Sequence, residues 1–226
     1  MTVRQTHTVV AKPGAYTFSP RSTALIVIDM QRDAVEAGGW SDHAGNDVKR
    51  LGAIVPVVRK LLDVCRAADV GIIHAREVFR PDLADCPASR RRRGDARHRI
   101  GDAGPLGRIQ IAGAPGAEIL PALAPKGTEI VIDKPGKGAF YATALGEILR
   151  LKGITHLLFA GAVTDGAVQT TFREASDRGY ECLLVEDATD SYAAEFKRTT
   201  LDMLAAPAAP VGWTALCGDV ANALAG

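Results

Sequence analysis

The chain has 226 residues, 47% apolar and 23% charged, with a formal net charge of +1. This length suits one sizeable domain with a buried core and is short for two, so residues 1–226 are read as one unit. The near-zero charge gives no electrostatic reason to expect nucleic acid or an anionic membrane as partner. The four cysteines (Cys65, Cys86, Cys182, Cys217) are widely spaced without a C-x-x-C pair, which argues against a disulfide framework or a thiolate metal site.

Residues 1–20 carry little periodicity and contain Pro13 and Pro20, and read as an arm over the surface. No apolar leader opens the sequence and no apolar run reaches membrane-span length, so the expected compartment is the cytoplasm. The apolar run 23–29 is of strand length and ends on Asp29. Asn46 or Asp47 can cap a following helix, where Val48, Leu51, Ile54, Val55, Val58, Leu61 and Leu62 recur at helical spacing over 48–68. A second strand, 70–74, ends on His74. Residues 79–117 are irregular and include the run Arg90-Arg91-Arg92-Arg93, which reads as a solvated loop or a subunit contact. A loop this long in a compact domain usually serves as a lid or an oligomer contact. The third strand, 129–133, leads into Lys134-Pro135-Gly136-Lys137-Gly138. Then come a helix (143–152), a strand (156–160), a turn through Gly161, a helix (165–177), a strand (181–186), a helix near 195–205, a short strand (211–214) and a C-terminal helix.

Strands that are apolar on both faces and alternate with helices predict an α/β fold. The expected architecture is a doubly wound, parallel, six-stranded sheet with helices on both faces. Ligands of such folds bind outside the carboxyl ends of the strands, near the reversal of strand order. Asp29, His74, Lys134 and the turn 161–167 all fall at those ends.

The segment 157–171 carries the most chemistry. It reads as a buried strand, a tight glycine-containing turn and a helix opening on Asp165, and a helix N-terminus favours a thiolate or an oxyanion. At the place for a nucleophile stands Ala167. Asp29, shielded from water at a sheet end, can be tuned as a general acid or base, or serve as a simple cap. Lys134 can hold Asp29 ionised, stabilise developing negative charge, or pair with Asp133 at a solvated strand end. Lys137 follows in a glycine-rich loop whose backbone can approach a ligand. His74 reads as a structural group; with no second histidine at metal spacing, no metal is assigned. Gly136-x-Gly138 is too short for a dinucleotide fingerprint and no phosphate loop is present, so no cofactor is expected.

Four separated segments together resemble the isochorismatase-like hydrolases: Leu25 to Gln31, Asp133 to Phe140, Gly161 to Thr171 and Arg173 to Cys182. His74-Ala75-Arg76-Glu77 followed by Arg80-Pro81-Asp82 is similar to the branch that includes biuret hydrolase and other ureido amidohydrolases. The resemblance implies a Rossmann-like fold, a homo-oligomer (dimer or tetramer), a small-molecule substrate and a cysteine–aspartate–lysine triad. Asp29 matches the triad aspartate, Lys134 the lysine, and Ala167 the cysteine. Arg76 and Lys137 would orient the substrate, backbone N–H groups around Gly166 would form an oxyanion hole, and Ala162–Val163 matches a peptide that is often cis in the family.

A methyl group cannot attack a carbonyl, which leaves three accounts of Ala167. The chain is a natural cysteine-free hydrolase in which Asp29 works with Lys134, as isochorismatases proper use the aspartate as general acid on a vinyl ether. Alternatively, it is a Cys→Ala form of a C–N amidohydrolase of the biuret or N-carbamoyl type. The third account is a ligand-binding protein that has lost catalysis. Ala34 and Ala37 also replace an aromatic residue and a proline common in the family, and this scatter of changes favours natural divergence.

Overall fold

Every residue of the strand Thr23–Ile28 (β1) is buried, the pattern of a central strand covered on both faces. In the computed structural model, which describes residues 6–93, 98–208 and 210–225, β1 is the middle of a parallel six-stranded sheet. The other strands are β2 (Gly71–Glu77), β3 (Ile130–Lys134), β4 (His156–Ala162), β5 (Glu181–Asp190) and β6 (Trp213–Ala215). Their spatial order is β6-β5-β4-β1-β2-β3, so the chain first builds outward through β2 and β3 and then returns past β1 to place β4 against its other side. The reversal therefore lies between the carboxyl ends of β1 and β4.

Alternation along β1 divides the core in two. Leu25 and Val27 pack with the helices α1 (Val55–Ala67) and α5 (Cys217–Ala225) on one face. Ile26 and Ile28 pack on the other face with Leu145, Phe172 and Leu204, which come from α2 (Leu145–Leu151), α3 (Gln169–Asp177) and α4 (Ala194–Leu204). No described helix is long and apolar enough to cross a membrane.

Several expectations need correction. Within 1–20, His7–Val9 and Tyr16–Phe18 pair as an antiparallel hairpin, and Val9, Tyr16 and Phe18 are buried; its apolar positions alternate over runs of only three residues, too short to register as periodicity. The helix expected over 48–68 is two helices, Val48–Ala53 and α1, because Pro56 cannot continue the hydrogen-bond ladder. β2 continues to Glu77, which leaves His74 inside the strand rather than at its end. There its Nε2 meets the Glu129 carboxylate at 2.9 Å. The loop 79–117 holds a one-turn helix, Ala88–Arg91, and a two-residue hairpin pairing 103–104 with 107–108.

Candidate active site

Asp29 is the first residue beyond β1 and Lys134 the last of β3, two strands away. The long Lys134 side chain, fully buried, spans that gap and donates to Asp29 Oδ2 at 2.8 Å and to the Gly136 carbonyl at 3.0 Å. Asp29 has φ +48°, a strained conformation for a residue with a side chain, held in part by its N–H on the Ala75 carbonyl at 2.8 Å. Its Oδ1 is buried with no hydrogen-bond partner among the described residues. Burial raises the Asp29 carboxyl above its ordinary range; Lys134 pulls it back only in part, and Glu77 pushes it further up.

Across the strand-order reversal, β4 ends in Ala162, and the Ala162–Val163 peptide is cis. Gly161, at φ +117°, packs so closely on β1 that a Cβ would overlap the Ile28 carbonyl oxygen. The chain then makes a widened helical turn, Thr164–Val168, broken at Gly166, before entering α3. Thr171 ties this turn to the lysine loop: its Oγ1 donates to the Ala167 carbonyl at 2.7 Å and accepts from the Ala139 N–H at 3.0 Å.

Asp29, Ala162, Val163 and Ala167 line one cavity of about 130 Å³, with Glu77, Lys137, Trp40 and Tyr192 on its other walls. The structure thus gathers most of the residues expected at the site. Two it does not. Arg76 is turned away, ion-paired with Asp133 and, at 3.0 Å, with Glu118. The reason is strand alternation: in register across β2 and β3, Arg76 faces Asp133 on one side of the sheet and Glu77 faces Lys134 on the other. Gly166 is not part of the lining, and its N–H is spent on the Val163 carbonyl at 3.1 Å.

The residues missed from the sequence are Glu77, Trp40 and Tyr192. Glu77 Oε2 accepts from Lys137 at 2.8 Å and lies 4.0 Å from Lys134, while Oε1 accepts from Arg90. Burial alone would raise its carboxyl, but Lys137, Lys134 and Arg90 together hold it below the usual range. Arg90 also lies over the Phe79 ring at 5.6 Å, so part of the arginine run is folded against the site rather than left in solvent. A second cavity, about 410 Å³, adjoins the first through Trp40, Glu77, Gln110 and Lys137 and is flanked by Arg90 and Arg93. Trp40 Nε1 is buried without a partner among the described residues, and the Tyr192 hydroxyl is hydrogen-bonded to Ser41 at 2.8 Å. Extending the period-two pattern of β2 by one turn would have found Glu77; Trp40 and Tyr192 leave no such local sign.

Residues 23–215 match the isochorismatase domain. The chain belongs to the isochorismatase family. Among solved structures, this isochorismatase-family chain is similar to a cysteine hydrolase from Pseudomonas syringae pv. phaseolicola 1448A, at 26% identity and TM-score 0.77 over 92% of this chain and 94% of that one. It is also similar to an isochorismatase family protein from Desulfovibrio vulgaris subsp. vulgaris str. Hildenborough, at 26% identity and TM-score 0.75 over 91% and 100% of the two chains. The fold extends to an N-carbamoylsarcosine amidase from Thermoplasma acidophilum, at 22% identity and TM-score 0.65, covering 87% and 96%. The chain therefore has the fold of the isochorismatase-like hydrolases. Among the described residues that line the cavity, none is a cysteine. Its four cysteines are buried elsewhere, and burial pushes the Cys65 thiol up to about 12.

Proposed function

We propose that the protein is a cysteine-independent hydrolase of a small substrate carrying an enol-ether, amide or ureido group, with Asp29 as general acid and base and Lys134 as its partner. The observation that carries this reading is the Asp29 carboxyl itself. One oxygen is held by Lys134 and the other, Oδ1, has no partner among the described residues, on a side chain that lines the cavity beside Ala167. A carboxyl whose affinity for protons is raised by burial keeps its proton to a higher pH than an ordinary carboxyl and can deliver it to a leaving oxygen or nitrogen. It can then recover a proton from the attacking water. Lys134 and Lys137 supply positive charge where an oxyanion would develop. The cavity volume, about 130 Å³, suits a small substrate.

The test is turnover of a panel of enol ethers, amides and ureido compounds, with products followed by mass spectrometry. Asp29→Asn is expected to lower kcat by about 10²–10⁴, the range for removing a general acid or base. Unchanged rates in this variant would sink the proposal. A second reading, a C–N amidohydrolase with its nucleophile replaced, is favoured by the likeness to a cysteine hydrolase. Under that reading Ala167→Cys creates activity on biuret or N-carbamoyl compounds where the unaltered chain has none.

A further inference from the structure

The proposed chemistry gives no role to Glu77, although more positive charge converges on this side chain than on Asp29. Its side chain is 3% exposed and enclosed by Lys137, Arg90 and Lys134. Its backbone is pinned as well: Gln31 accepts from the Glu77 N–H at 2.8 Å and donates to the Glu77 carbonyl at 3.2 Å. The arrangement is built around the carboxylate rather than tolerating it.

Lys134 has three N–H donors. Two are used, on Asp29 and on the Gly136 carbonyl, and the ammonium sits 4.0 Å from Glu77 Oε2, beyond a hydrogen bond but within ion-pair range. Two carboxylates thus share one lysine. The remaining cations are not divided evenly, since Lys137 and Arg90 both bond Glu77 and neither bonds Asp29.

We propose that Glu77 is a positioning residue that acts on Asp29 through Lys134, drawing the cations of the site to itself and leaving Asp29 Oδ1 without a partner among the described residues. The inference deepens the reading of Asp29 as an acid and rests on it. Neighbouring carboxylates that share a cation separate in proton affinity, one ionising readily and the other holding its proton. The directions here agree: Asp29 is raised, first by burial and also by Glu77, whereas the cations hold Glu77 down against its own burial. The groups facing the pair are Lys134 from β3, Lys137 from the loop after it, Arg90 from the long loop, and Tyr192 from the segment after β5. Asp165 adds negative charge near Tyr192 and is bonded by Ser191.

The experiment is a carbon-13 NMR titration of the full chain with labelled aspartate and glutamate carboxyls. The Asp29 signal is identified by its loss in Asp29→Asn and the Glu77 signal by its loss in Glu77→Gln. Glu77→Gln keeps the shape and removes the charge, and is expected to lower the Asp29 midpoint by about one pH unit or more. Glu77→Asp, which restores the charge, should return the midpoint toward its original value. An Asp29 midpoint that is the same in Glu77→Gln overturns the proposal. So does an unaltered protein in which Asp29 and Glu77 titrate together in the ordinary carboxylate range, a result that depends on no variant folding. Because the titration needs no substrate, it separates this inference from the general-acid reading, which stands or falls on turnover by Asp29→Asn.

Discussion

At the residue scale, the decisive fact is that two side chains from strands not adjacent in the sheet meet in a dry place. Asp29 and Lys134 are 2.8 Å apart and enclosed, so each is the other's main answer to desolvation. Lys134→Met should therefore cost more than a surface lysine would, because it leaves Asp29 with both oxygens unpaired. A loss of about 3–5 kcal/mol is expected for breaking such a pair, read by chemical denaturation near pH 8, and a smaller loss at a pH low enough to protonate Asp29. Equal losses at the two pH values would mean that the ion pair is not what Lys134 contributes. Ala167→Cys probes the other wall. If the site works without a thiol, the added sulfur takes up space in a cavity of about 130 Å³ and turnover falls. A gain of amidase activity instead would replace the cysteine-free mechanism with a nucleophilic one.

At the element scale, the junction of β1 and β4 determines where the site can be. Gly161 allows the two strands to approach at the strand-order reversal, and Thr189 Oγ1 donates to the Gly161 carbonyl at 2.7 Å to hold the bend. Gly161→Ala combines a positive φ with direct overlap on the Ile28 carbonyl. The expected cost is about 3 kcal/mol or more, seen as a fall in Tm of roughly 6–12 °C. A Tm within about a degree of the parent would show that the β1–β4 contact is slacker than its geometry. The turn after β4 is coupled to the lysine loop through Thr171. Thr171→Val removes both of its hydrogen bonds at nearly constant volume and leaves the buried Ala139 N–H unpaired, so it should lower turnover and cost about 1–3 kcal/mol, seen as a fall in Tm of roughly 2–12 °C.

At the scale of the whole molecule, Glu129 ties α1 to the sheet through Arg66 at 2.7 Å and His74 at 2.9 Å. Burial would raise its carboxyl, yet the bonds from Arg66, His74 and the Lys126 N–H bring it down to about 2 from an ordinary 4.5. A depressed carboxyl stabilises the fold above its unfolded value, and that contribution is lost as pH falls from about 4.5 toward 2. His74, lowered by burial, acts in the same direction from about 6.5 downward, because the unfolded chain takes up its proton first. Denaturation midpoints should therefore fall with pH below about 6.5, and Glu129→Gln should flatten the acid limb; an equally steep limb in that variant would assign the acid loss elsewhere. How much of this protein was legible in its residues follows from the range over which each signal acts. Strand runs, helical spacing and turn glycines are local, so the alternating architecture, the six strands and the placing of Asp29, Lys134 and Ala167 at strand carboxyl ends could be read directly. The amino-terminal hairpin and the break at Pro56 lay within reach of the same signals but were masked by short length and by an otherwise continuous apolar stripe. The sequence by itself determined the family and the fold, because these depend on periodicity and on motifs in order. Only the tertiary structure decided that Arg76 faces away while Glu77 faces in, that Arg90 of the arginine run folds against the cavity, and that Trp40 and Tyr192 wall it, because those outcomes depend on which face of a strand turns inward and on contacts between segments far apart in the chain.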